Sequence, residues 1–247
     1  MSGAVILFAG PSLPEAPALP SHVSLRAPAR CGDVIAALAE APAAIALVDG
    51  LFETAPSVWH KEILYALEQG VPVYGAASLG ALRAAELAPF GMRGVGAVFA
   101  ACRDGLIERD DAVMVSHAPA ELGYRALTIA LVDAEASIAA SMLPPDDRRR
   151  LVALARAIPF RTRSWAAILA RFAAAAGATR AAEAAGAIAA CAFSLKQRDT
   201  ALLIETLGRP LPPIAVRPVT PMTPRFRELV ERHCPIRQPS RRAGARG

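Results

Sequence analysis

Three short apolar runs limit what this chain can build. Ala4 to Ala9, Ala44 to Val48 and Val71 to Tyr74 each break at turn formers: Gly10 and Pro11, Asp49 and Gly50, and the stretch Gly75 to Ser78. Apolar character that is continuous rather than alternating marks a strand covered on both faces, as in parallel sheets. Segments of helical period lie between and after these runs. Asp33 opens Val34 to Glu40, Ser57 stands where it would cap Val58 to Gln69 with Gly70 as the stop, and Ser78 precedes Leu79 to Leu87. A weaker extended stretch, His22 to Leu25, follows the Pro-rich loop Pro11 to Pro20. This alternation predicts an α/β fold, a Rossmann-like, mostly parallel sheet flanked by helices.

The pattern loosens from Pro89. PFGMRGVGAVFAACRDG leads into the acids Glu108, Asp110 and Asp111, then an extended run, Ala112 to His117. GYRALTIALV fits a last strand or a helix start equally well. Past Asp133, Ala, Arg and Leu recur at helical spacing through Asp147–Ala157, Ser164–Ala175, Thr179–Ala190 and Arg198–Leu207. The expected organisation is an α/β core over residues 1–132 and a helical C-terminal part over 133–208. Residues 209–247 read as a Pro-rich arm and a basic tail without fixed structure.

The formal charge of +5 raises nucleic acid as a partner, but the excess sits in Arg148–Arg150 and in the tail from Arg237 to Arg246. No basic helical stripe runs through the first half, and aromatic residues make up only 5% of the chain, so nucleic acid is disfavoured. Cys31, Cys102, Cys191 and Cys234 are widely spaced and propose neither a zinc site nor a disulfide framework. The apolar start is too short to span a bilayer, so a cytoplasmic location without membrane contact is expected. No Walker A or G-x-G-x-x-G fingerprint follows a strand, and the acids at 108–111 read as a solvated turn. No cofactor and no metal are expected.

Loops leaving the C-terminal ends of parallel strands share one edge of the sheet. GPSLP, DGLFETAPSVWHKE and GAASLGALRAAE should therefore bring Ser12, Asp49, His60 and Ser78 to one crevice. A-A-S-L-G is one residue away from the G-x-S-x-G elbow of serine hydrolases. Ser78 reads either as a nucleophile, with the N–H groups of Leu79 and Gly80 facing an oxyanion, or as an ordinary N-cap. His60 suits general base work, with Asp49 to orient it and Lys61 to steady a developing anion. The alternatives are a hydrogen-bonded helix-start histidine, an Asp-Gly turn and a solvated lysine. Arg83 can clamp a carboxylate or simply pair with Glu86. His117 and Tyr124 have no assignable partner.

GPSLP, CGDV, ALVDGLFETAPSVWHKEILYAL, GVPVYGAASLGALRAAELAPFGMRGVG and DGLIERDDAV occur in this order. Together they resemble the TfuA-like family over roughly residues 4–130, with a looser likeness through SLKQRDTALL. Family positions correspond to Gly10, Pro11, Ser12, Asp49, Gly50, Phe52, His60, Lys61, Glu62, Ser78, Gly80, Arg83, Glu86 and Gly91. Leu79 stands where many members have methionine, a change conservative in volume. The resemblance implies a partner of YcaO-type enzymes, which activate a backbone amide with ATP. It also implies help in installing sulfur as a thioamide, in modified peptides and in a methanogenesis enzyme. Two roles follow from it. In one, a ubiquitin-like carrier ending in a thiocarboxylate is hydrolysed to deliver sulfide: Ser78 attacks, His60 takes its proton, and the start of the Leu79 helix holds the oxyanion. In the other, the protein only recruits or activates the YcaO enzyme on its peptide, and the crevice at Gly10, Ser12, Gly50 and Arg83 docks a carboxylate-ended tail. An unrelated esterase is the third option.

Overall fold

The computed structural model describes residues 3–15, 17–51 and 55–233. The strands are β1 (Val5–Phe8), β2 (Val23–Arg26), β3 (Ala44–Leu47), β4 (Val73–Ala76) and β5 (Arg93–Val95). The α-helices are α1 (Asp33–Leu38), α2 (His60–Glu68), α3 (Leu79–Leu87), α4 (Ala97–Arg103) and α5 (Leu131–Ala140), then α6 (Pro145–Arg156), α7 (Trp165–Ala176), α8 (Ala178–Ala189), α9 (Leu195–Leu207) and α10 (Pro224–His233). All strand pairs are parallel and the order is β2-β1-β3-β4-β5. The Rossmann-like expectation holds. In this order the chain reverses direction between β1 and β3, so the crevice of a doubly wound sheet opens at their C-terminal ends.

Alternation along the strands divides the core. Ile6, Phe8, Ile45, Leu47 and Val73 face α1, α2 and α3, while Val5, Leu7, Ala44, Ala46 and Tyr74 face Leu203, Ile204 and Leu207 of α9. Burial on both sides is why these runs carry no polar alternation. Contact between α3 and the sheet is closest at two glycines. A Cβ on Gly80 would lie 1.8 Å from the Leu47 carbonyl oxygen, and one on Gly75 would lie 2.0 Å from the Gly80 carbonyl oxygen. Helices α5 to α8 form the expected helical part, where Ile138, Leu151, Ile168, Phe172 and Ile188 pack with Leu82 of α3 and Val98 of α4.

Several local readings change. The first residue of α2 is His60, and Ser57 does not cap it. Ser57 Oγ donates instead to the Leu51 carbonyl, while Glu62 reaches back to the Trp59 N–H at 2.9 Å. The run Ala112 to His117 is no strand: a short 3-10 turn ends at Ala112, and one bridge joins His117 to Ala126. GYRALTIALV resolves into a loop and the start of α5.

The arm is also firmly placed. Nη1 of Arg93 donates to the Pro212 carbonyl and to Tyr74 Oη, both at 2.8 Å, and Nη2 donates to the Pro213 carbonyl. Glu68 accepts from the Thr220 N–H at 3.2 Å. The chain then turns into α10, which buries Phe226, Leu229 and Val230 against Ile35, with Trp59 and Tyr65 beside them. Residues 209–233 are thus a strap from α9 on one face of the sheet to α10 on the other. Cys234, the arginines from 237 to 246, and Phe52 lie outside the described residues.

Under α10 lies a buried carboxyl. Glu62 is fully buried and accepts from the N–H groups of Gly32 and Trp59, each at 2.9 Å. Burial outweighs these donors and pushes its pKa up to about 7. Between about pH 4.5 and 7 the native state keeps a proton that the unfolded chain loses, so stability falls as pH rises through that window. The loss is on the order of 3 kcal/mol. In urea melts at pH 5 and pH 7.5 the wild type should lose this stability relative to Glu62→Gln, whose side chain does not titrate. Parallel losses in the two proteins would refute the assignment.

Candidate active site

The crevice between β1 and β3 is closed by Asp49. Its buried carboxylate accepts from the N–H groups of Gly10 and Ser12, each at 2.9 Å, and from Ser12 Oγ at 2.6 Å. Asp49 is therefore occupied in holding the first loop to the third strand and does not contact His60. Gly50 lets Leu79 approach, since a Cβ there would lie 1.9 Å from Leu79 Cδ2.

Ser78 follows a tight reversal. Its N–H donates to the Ala76 carbonyl at 2.7 Å across Ala77, whose φ is +63°. This is the rarer, strained form of γ-turn; a left-handed alanine costs on the order of 1–3 kcal/mol and persists where surrounding structure enforces it. The strain expected of a nucleophile elbow is present, centred one residue before the serine. Ser78 is at the N-cap position, yet its side chain makes no capping bond. Its Oγ donates to the Val113 carbonyl at 3.4 Å, a long contact.

That same carbonyl accepts from a second group. Lys196, near the start of α9 and almost fully buried, donates from Nζ to the Val113 oxygen at 2.7 Å. The helix start is fixed by Asp133, which accepts from the Lys196 N–H and from Ser194 Oγ, each at 3.0 Å. Burial raises the pKa of Asp133, against the pull of Lys196. Ser78, Lys196, Asp49, Gly50, His117 and Phe160 all line one cavity of about 200 Å³. Lys196 and Val115 also border an adjoining cavity of about 280 Å³ that reaches Asp133 and Trp165. Lys196 carried two faint sequence signals, rarity (the chain has two lysines against an abundance of arginine) and its place in SLKQRDTALL.

The other sequence candidates gather elsewhere. His60 Nε2 meets Glu86 at 2.8 Å, and Arg83 Nη1 donates to the same carboxylate at 2.7 Å. Burial pushes the Glu86 pKa up, but these two hydrogen bonds outweigh it and hold the group below its ordinary value. Arg83 also donates to the Val58 carbonyl at 3.3 Å, so it ties α3 to the entry of α2. Lys61, half-buried, donates to Thr223 Oγ1 at 3.1 Å. Gly80 spends its N–H on the Val48 carbonyl at 3.1 Å. This leaves Leu79, whose N–H lacks an intrahelical acceptor by its position, as the amide at the helix start. Asp111 accepts twice from Arg109, at 2.9 Å each. Among the described residues no cluster of three or more His, Cys, Asp or Glu is grouped to hold a metal, and no helix is long and apolar enough to cross a membrane.

No curated protein matches the chain. The family model described as TfuA-like protein matches residues 49–164, the segment that carries Asp49, Ser78 and the Val113 carbonyl. Over that segment the chain is similar to TfuA-like proteins, a family linked to thioamide formation with YcaO enzymes.

Proposed function

We propose that this protein releases sulfide for a YcaO-type partner by hydrolysing a carrier protein that ends in a thiocarboxylate, using Ser78 as nucleophile and Lys196 as its base. One observation carries the reading: a serine behind a strained turn and a buried lysine meet at one carbonyl, inside a cavity at the switch point of the sheet. Serine–lysine pairs are an established variant of the nucleophile–base arrangement. Lys196, acting as base, takes the proton of Ser78 Oγ as this oxygen bonds to the thioacid carbon. The Leu79 N–H stands next to the oxygen that becomes charged. The C–S bond breaks and sulfur leaves as hydrosulfide with a proton from the site. Water then adds to the acyl-serine, Ser78 recovers its proton through Lys196, and the carrier departs as a carboxylate. The YcaO partner would use the sulfide on its activated peptide.

The test is sulfide release from a thiocarboxylated ubiquitin-like carrier. Ser78→Ala and Lys196→Met should abolish it. His60→Ala should stay within about threefold of wild type, because an exposed ion pair with Glu86 contributes little. Release that survives both Ser78→Ala and Lys196→Met would favour a protein that only recruits or activates its partner.

A further inference from the structure

His117 shares the cavity of Ser78 and Lys196, and no step above uses it. It sits on the loop after Val113, where Ala118 N–H bonds the Arg125 carbonyl and Leu127 N–H the Ser116 carbonyl, each at 2.8 Å. Tyr124 packs against the ring edge to face, with centroids 5.7 Å apart. The imidazole is therefore held in orientation from two sides. Its Nδ1 lies 2.8 Å from the Ala118 carbonyl oxygen. A carbonyl can only accept, so Nδ1 carries hydrogen in either charge state. The exchangeable position is then Nε2, for which no described residue supplies a partner.

We propose that His117 is the second acid–base residue of the site, serving the leaving sulfur and then the incoming water, while Lys196 serves Ser78 Oγ. This rests on the Ser78–Lys196 reading and adds a division of labour to it. The water that clears an acyl-enzyme enters where the leaving group departed, so one side chain facing that point acts first as acid and then as base. Protons balance when Lys196 begins the cycle as acceptor and His117 Nε2 begins it as donor. Ser78 gives its proton to Lys196 as the Oγ–C bond forms, and Nε2 protonates the sulfur as the C–S bond breaks, giving hydrosulfide. In the second half Nε2 takes a proton from water as its oxygen bonds to the acyl carbon. Lys196 returns its proton to Ser78 Oγ as the ester bond breaks. The remaining proton leaves with the new carboxylic acid, which ionises.

His117→Asn keeps a donor for the Ala118 carbonyl and removes Nε2. With the full-length protein and a thiocarboxylated carrier, sulfide release should fall about 100-fold. With p-nitrophenyl acetate, whose leaving group needs no proton, the first turnover should stay near the wild-type rate. Acetylated Ser78 should then accumulate, visible as a burst of p-nitrophenolate and as acetyl mass on the intact protein. Added imidazole should restore turnover in His117→Ala. Wild-type rates in both phases for His117→Asn, with Ser78→Ala and Lys196→Met inactive, would overturn this proposal and leave the nucleophile–base pair standing. Sulfide release by Ser78→Ala would overturn that pair itself.

Discussion

Lys196→Met should lower the rate of sulfide release by about 10⁴- to 10⁶-fold, the range seen when one member of a nucleophile–base unit is removed. Methionine matches the length of the lysine stem, so the packing of α9 on the sheet should survive. The fold itself loses the 2.7 Å bond to the Val113 carbonyl. The buried carbonyl would keep only the long contact from Ser78 Oγ, a loss of up to about 1–3 kcal/mol that a denaturant melt would register without loss of the native state. Ser78→Ala should be as severe, and the double variant no worse than either single one, because groups that act as a unit are not additive. Additive losses in the double variant would show two independent effects rather than a pair.

The largest expected loss of stability comes from a single methyl group. Gly80→Ala would place a Cβ 1.8 Å from the Leu47 carbonyl oxygen and 2.5 Å from its carbon. Both are main-chain atoms of a central strand and neither can turn aside. Accommodation would require α3 to lift off β3, breaking the Gly80 N–H bond to Val48 and dragging the Ala77 turn with it. The expected loss is about 4 kcal/mol or more, in the exceptional range for point changes. Gly186→Ala in α8 is the natural contrast, since nothing lies within 4 Å of its Cβ position. There the same substitution should stabilise by up to about 1 kcal/mol through helix propensity alone. Two midpoints from denaturant titration, displaced in opposite directions, would bear this out. A Gly80→Ala midpoint near wild type would refute the close crossing.

The elements legible in the sequence are those whose energetics are local. β1, β3 and β4 were readable because burial on both faces writes an unbroken apolar run, and α3 was read at its observed limits, Leu79 and Leu87. β5 was not readable: Arg-Gly-Val is half-exposed, and it is a strand only because β4 offers it a partner. α10 escaped because three apolar residues among charges and prolines look like an arm until the groove over Ile35 is known. Of the site, strand order and turn position account for Ser12 on Asp49 and for Asp49 and Ser78 on one cavity, whereas His60, expected in the same crevice, pairs with Glu86. Lys196 was not expected there, since a lysine in the first turn of a helix is ordinarily solvated. Only the distant Val113 carbonyl and the packing of α9 across the far face of the sheet bury it. Lys61, offered as the group to steady a developing anion, bonds Thr223 instead.

In the mechanism proposed above, the placement of Lys196 near the start of α9 also ties reactivity to completed folding. Residues 49–164, the stretch matched by the family model, contain the serine and the shared carbonyl but not the lysine. During synthesis the lysine emerges after the whole sheet, and it reaches Val113 only when α9 closes over the face formed by Val5, Leu7 and Tyr74. A nascent or truncated protein would therefore hold the nucleophile without its base. Under that proposal, competence to liberate a reactive sulfur species would arise only once α9 is in place.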